Sequence, residues 1–172
     1  LITPESTMTE GAGLSIEELE RQIGSIEQPY ARSSAERHLA RHYVEQGEYD
    51  RAGQYYRSAL AAGGLSDVAN REMLRELAQV YLLKEGYPAA AQTLELALQI
   101  DLVPDATDYL LLAQAYYRMS KCVAVVATLD RIAEQGLSLD VAQMQQALAL
   151  YYRAGANAKC EPLLQRLLEL EP

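Results

Sequence analysis

The chain has 172 residues and a mass of 19.1 kDa, enough for one domain-sized fold and too little for two large independent cores. It is 49% apolar and 23% charged with a net charge of −9, which excludes a disordered polyelectrolyte and disfavours a nucleic-acid backbone or an anionic membrane as the main partner. Its longest apolar runs, such as Tyr109 to Ala113 and Cys122 to Ala127, fall well short of the roughly 18 residues that a spanning helix needs, so no membrane insertion is expected.

The acidic excess comes first along the chain: residues 1–32 hold six acids and two bases, whereas residues 141–172 balance. The sequence opens Leu-Ile-Thr-Pro, with neither an initiator Met nor a basic-then-apolar leader pattern, and reads as a processed protein or an excised domain. Residues 1–14 are expected to form a disordered or loose tail. Ser15-Ile-Glu-Glu18 reads as a capping box opening a short helix to about Glu27, which Gln28-Pro29 then breaks. Residues 15–32 are thus expected to hold an N-terminal helix and a break, with the helix covering the exposed apolar side of the segment after it.

From residue 33 onward the sequence repeats. Leu39-Ala40-Arg-His-Tyr43, Leu77-Ala78-Gln-Val-Tyr81, Leu112-Ala113-Gln-Ala-Tyr116 and Ala147-Leu148-Ala-Leu-Tyr151 align, with tyrosines 38, 35 and 35 residues apart. After each tyrosine a second pattern recurs: Ala52, Tyr56, Ala59; Ala90, Leu94, Ala97; Val125, Leu129, Ile132; Cys160, Leu164, Leu167. That spacing lines one helical face. A short turn separates the two patterns, with Gly47, Gly86 and Gly155 expected to supply the helix stop in three of the four copies. Each copy is therefore a helical hairpin. Alanine at a helix crossing lets the backbones approach closely, and tyrosine fills the adjoining space while its hydroxyl finds a polar partner. The slot tyrosines are expected to tie each hairpin together.

This pattern resembles the tetratricopeptide repeat (TPR), with Glu36, Leu74, Tyr109 and Met144 where that repeat carries tryptophan. The resemblance implies an all-α fold, a right-handed α-solenoid of about four TPR hairpins over residues 33–172 with an extra N-terminal helix. The repeats fall at about 33–66, 71–104, 106–140 and 141–172. Pro172 occupies the repeat-terminating slot, so Leu163, Leu164, Leu167 and Leu168 end the chain with no capping helix after them. This end is expected to belong to a truncated chain or to pair with another molecule, self-association through the last helix being one form.

No catalytic constellation appears, and no enzyme activity, cofactor or metal is expected. His38 and His42 lie four apart on one helical face, but Arg37 and Arg41 beside them would repel a cation and no third ligand is evident. Cys160 sits in a small packing slot and reads as a buried filler. Cys122 opens a helix beside Lys121, a setting that favours a thiolate, although a redox role is the lesser reading.

One further stripe lies about 100° from the core stripe on the first helix of each hairpin: Arg37, Arg41, Val44; Arg75, Gln79, Leu82; Leu110, Gln114, Tyr117; Gln145, Ala149, Tyr152. In proteins of the family this stripe lines a groove that holds an extended peptide or a partner helix. The candidate partner-binding residues are Arg37, Arg41, Arg75, Gln79, Gln114, Tyr117 and Tyr152, and the expected ligand is a protein or peptide, acidic or ending in a free carboxylate. The chaperone-type clamp is not matched, since His38 and Glu76 stand in one of its asparagine slots and Arg41 and Gln79 in the other. Ala35-Glu-Arg-His-Leu-Ala and Gly86-Tyr-Pro-Ala-Ala-Ala are similar to periplasmic TPR proteins that accompany TonB-type uptake systems. That likeness implies a periplasmic accessory contacting TonB, ExbB or ExbD. The alternative is a cytoplasmic TPR chaperone holding a secretion client.

Overall fold

A computed structural model describes residues 14–170, and every element among them is helical. After α1 (Ile16–Gln22) and a 3-10 turn (Ile23–Ser25) come α2 (Pro29–Glu45), α3 (Tyr49–Ala62), α4 (Asp67–Leu83), α5 (Tyr87–Gln99), α6 (Ala106–Arg118), α7 (Cys122–Glu134), α8 (Val141–Arg153) and α9 (Asn157–Leu170). The expected loose tail and the Pro172 slot lie outside the described residues. The chain forms two compact units, 1–84 and 85–172, whose boundary falls at the Glu85–Gly86 turn inside the second repeat.

Caps explain where the helices start. Ser15, Ser66 and Asp105 each accept a backbone N–H of the first turn, and Asp140 exchanges bonds reciprocally with Gln143 at the head of α8. Pro29, expected in a break, instead opens α2 at its first position, where a missing N–H costs nothing. The first repeat therefore starts four residues earlier than the pattern suggested. The N-terminal helix is also shorter than expected, since α1 stops at Gln22.

In the first unit, Ala40, Tyr43, Ala52, Tyr56, Ala59, Met73, Leu77 and Val80 form the core shared by α2, α3 and α4. Gly64 closes the loop after α3 with φ +79, and a Cβ there would lie 2.7 Å from the Tyr30 nitrogen and 2.9 Å from the Pro29 Cβ. Only glycine fits this close approach. In the second unit, Tyr109, Leu110, Ala113, Val125, Leu129, Ile132, Ala147, Leu150, Tyr151 and Cys160 form the corresponding core.

Among the described residues the last helix is left uncovered, as the leucines on it suggested, whereas one helix stop differs from the expectation. The second copy of the packing pattern is buried, with Leu94 at 0% exposure, but Leu164 of α9 is 46% exposed because no further helix covers it among the described residues. In the second repeat the left-handed stop is not Gly86 but Glu85, at φ 60, and in the third it is Ser120 at φ 59. In the first, third and fourth repeats the slot tyrosine carbonyl accepts the N–H five residues on (Glu48, Lys121, Ala156), the long bond of a Schellman stop, so the residue between must turn left-handed whatever its identity. A Cβ in that conformation costs roughly 1–2 kcal/mol, partly offset by the entropy glycine loses on folding. Glu85→Gly and Ser120→Gly are each expected to stabilise the protein by about 0.5–1 kcal/mol, read as a rise in the urea midpoint at unchanged slope.

Candidate partner-binding faces

The slot tyrosines do more than pack. Tyr43 donates its hydroxyl to Glu20 of α1 at 2.5 Å, Tyr116 to Glu95 of α5 at 3.2 Å, and Tyr151 to Asp130 of α7 at 2.7 Å. The Tyr81 hydroxyl accepts from Arg57 of α3 at 3.1 Å. In each case the partner lies on the helix preceding the tyrosine's own hairpin, so these tyrosines stitch a hairpin to its predecessor, not its two helices to each other as expected. Three of the stitches carry a cation as well: Arg51 reaches Glu20 at 3.2 Å, Arg131 reaches Glu95 at 3.5 Å and Lys159 reaches Asp130 at 3.3 Å. A carboxylate shared between a hydroxyl donor and a cation makes charge-assisted bonds, stronger than neutral ones.

The first stitch holds α1. Leu19 is the buried residue of α1, and Glu20 beside it accepts from Tyr43, Tyr55 and Arg51 together. Tyr43 and Tyr55 stack at 5.7 Å, and the Arg51 guanidinium rests 4.2 Å over the Tyr43 ring. Burial first and the Glu20 carboxylate second push both tyrosine hydroxyls up to about 12. The Tyr43 hydrogen bond, the largest influence, holds the Glu20 carboxyl below its ordinary 4.5. A depressed carboxyl stabilises the folded state above its ordinary value and ceases to as pH falls through the lower folded value. Protection of the Leu19–Gln22 amides from hydrogen exchange, relative to their intrinsic rates, is therefore expected to fall selectively as pH drops below the ordinary carboxylate value of 4.5, an effect that Glu20→Gln abolishes.

The predicted binding residues separate into two groups. In the first unit Arg37 donates to Glu76 at 2.6 and 3.3 Å and to Glu72 at 3.2 Å, and Arg41 donates to the same Glu76 at 2.6 and 3.2 Å. Burial acts to raise the Glu76 carboxyl, but the two guanidiniums outweigh it and hold the group below 4.5. The carboxylate that these arginines were expected to take from a ligand is thus supplied by α4. Arg75 is half-buried and also engaged, while Gln79 is exposed. In the second unit, α6 and α8 pack side by side and carry Gln114, Tyr117 and Tyr152. Gln114 is exposed, Tyr117 is half-buried beneath the Arg153 guanidinium at 5.7 Å, and Tyr152 is 69% exposed. Leu110, expected on this stripe, is only 4% exposed and belongs to the core.

His38 is exposed and His42 lies edge-on to Tyr43 at 5.5 Å; among the described residues no group of three or more His, Cys, Asp or Glu is placed to hold a metal ion. Cys160 is buried, with its sulfur 3.7–3.8 Å from the Ala156 and Leu148 carbonyls, and Cys122 is exposed at the start of α7.

No protein-family model matches the sequence, and none of the curated proteins does. Solved structures do match. A kinesin light chain-like protein with nearly identical TPR-like repeats, from Podosopora anserina, superposes with a TM-score of 0.72 at 20% identity over 91% of this chain and 85% of its own. The fold is that of the tetratricopeptide repeat proteins. MamA superposes with a TM-score of 0.70 at 16% identity over 98% of this chain and 95% of its own. The C-terminal part of a TPR repeat-containing protein from Cytophaga hutchinsonii gives 0.68 at 17% identity over 89% and 58%. Within this TPR fold, the stitch residues Glu20, Arg57, Glu95 and Asp130 escaped the sequence reading. Their signal was a charged residue 21–24 positions before each slot tyrosine, a spacing that has no meaning until consecutive hairpins are known to pack.

Proposed function

We propose that the chain is a non-catalytic scaffold that holds a protein segment against the first-helix faces of its hairpins. The carrying observation is Tyr152, a large aromatic 69% exposed on a face otherwise made of amides and tyrosine. Such a face gives rigid contact area from the rings and backbone pairing from Gln114, which suits an extended peptide. Arg37, Arg41, Arg75 and Gln79 line the corresponding face of the first unit. Because Glu76 and Glu72 already neutralise Arg37 and Arg41, an acidic or C-terminal carboxylate there would bind by exchanging with an internal carboxylate. Among the described residues no helix is long and apolar enough to cross a membrane. The short motif likenesses support a periplasmic accessory of a TonB-type uptake system. The acidic composition and the exposed leucines of α9 support the second reading, a cytoplasmic chaperone holding a secretion client.

The test is selection of random peptides on the immobilised chain, followed by direct binding to purified periplasmic parts of TonB and ExbD. Gln114→Ala with Tyr152→Ala is expected to weaken the selected peptides at least about tenfold. Reversing Arg37, Arg41 and Arg75 to Glu is expected to remove the acidic ones. Peptides indifferent to both sets of changes would overturn the scaffold reading.

A further inference from the structure

We propose that the outer face of α9 is a docking surface for a second copy of this chain, which presents the α2 face that α1 covers, and that α1 acts as the plug that keeps copies apart. Within each unit, a helix that precedes a slot-tyrosine helix is covered by it. Leu94 of α5 is 0% exposed and Leu129 of α7 is 2% exposed, with α6 packed on α5 and α8 on α7. The equivalent Leu164 of α9 is 46% exposed, and Leu168 and Leu170 beside it are 67% and 52% exposed. The covering helices carry Leu112-Ala113 with Tyr116, or Ala147-Leu148 with Tyr151. Leu39-Ala40 with Tyr43 on α2 presents the same face.

What lies on that face is a substitute. The seven-residue α1 buries Leu19 where α3 buries four residues and α5 five, and it brings Glu20 to Tyr43 as Glu95 and Asp130 are brought to Tyr116 and Tyr151. On α9 the register position of Glu95 and Asp130 is Gln165. Its amide oxygen accepts a tyrosine hydroxyl, but without charge the bond is weaker than that of Glu20. Tethered in the same chain, α1 also acts at an effective concentration on the order of millimolar, so it wins until it is loosened. Long-range charge does not oppose docking, since residues 141–172 balance and residues 33–66 hold four acids and four bases. The two surfaces differ, so the contact is head-to-tail: the α9 face of one copy meets the α2 face of another.

The test is sedimentation velocity of the full chain over a wide concentration range. Wild type is expected to stay monomeric. Leu19→Ser with Glu20→Gln is expected to give a weight-average mass that climbs with concentration above that of the monomer. Adding Leu164→Asp and Leu168→Asp should restore the monomer, and Gln165→Glu should lower the half-assembly concentration about tenfold by restoring a charged acceptor. Circular dichroism checks that each variant is folded; if the double change at α1 unfolds the chain, Glu20→Gln alone, which removes the charge of that acceptor and keeps Leu19, takes its place. A folded, α1-loosened variant that stays monomeric overturns the proposal. So does assembly that survives the α9 changes, as an exchange of α1 between two copies would.

Discussion

Tyr56→Ala is expected to cost the protein about 4 kcal/mol, the largest effect of any single truncation in the first unit. Tyr56 is the largest fully buried side chain, 2% exposed, and it joins Ala52 and Ala59 of α3 to Met73, Leu77 and Val80 of α4 in one cluster. Truncation removes the ring's burial and leaves a cavity that flanking alanines cannot collapse to fill, since they have no side chain to move. Tyr56→Phe separates the two contributions. Burial, the largest influence, and then the charge of the nearby Glu76 carboxylate push the Tyr56 hydroxyl far above its ordinary 10. Losing the hydroxyl alone is expected to cost about 1 kcal/mol. Urea denaturation of the three proteins decides the matter, and an alanine variant within about 1 kcal/mol of wild type would mean that the cluster is not cooperative.

Glu76→Gln is expected to lower stability by about 1–2 kcal/mol and, at the same time, to strengthen retention of acidic peptides. Glu76 carries two guanidiniums at once, and Arg37 and Glu76 are only 17% and 20% exposed at their side chains. Removing one partner from a wholly buried ion pair costs about 3–5 kcal/mol. Here Arg41 is 54% exposed and can rehydrate, so the cost is smaller. Because the Glu76 carboxyl is depressed, its contribution is present above 4.5 and lost as pH falls through the lower folded value, and the variant should converge on wild type in acid. The opposite sign in binding is the more telling result. With the Glu76 charge gone, Arg41 loses the carboxylate it shared and Arg37 keeps only the exposed Glu72, so both guanidiniums are freer to meet a ligand on this face. Stability and affinity falling together would show that Glu76 holds the face in shape without competing for it.

Much of this molecule was legible from its amino acids because helices and their caps are local. The period of Leu39, Ala40 and Tyr43, the alanines at helix crossings and the turn between the paired patterns depend on residues a few positions apart, and the helical hairpins of the TPR fold follow from them. The same locality explains why Ser120 is left-handed without being glycine: the Schellman bond from Lys121 N–H to the Tyr116 carbonyl imposes a left-handed residue at a fixed place, and glycine merely prefers to be there.

Side-chain partnerships across hairpins were not legible. Whether Arg37 and Arg41 offer their charge to a ligand or to Glu76 depends on how α4 lies against α2, and that is fixed by Tyr56, Met73 and Leu77 in the shared core. Glu20, an unremarkable acid on a short helix, becomes the anchor of α1 only once Tyr43, Tyr55 and Arg51 arrive from two other helices. The sequence alone determined the helices, their pairing and the recurrent tyrosines, since spacing along a backbone of fixed period places them. Only the tertiary structure decided which charges are spent inside the fold and which faces stay bare, because a charge's partner is chosen by distance in space and not by position along the chain.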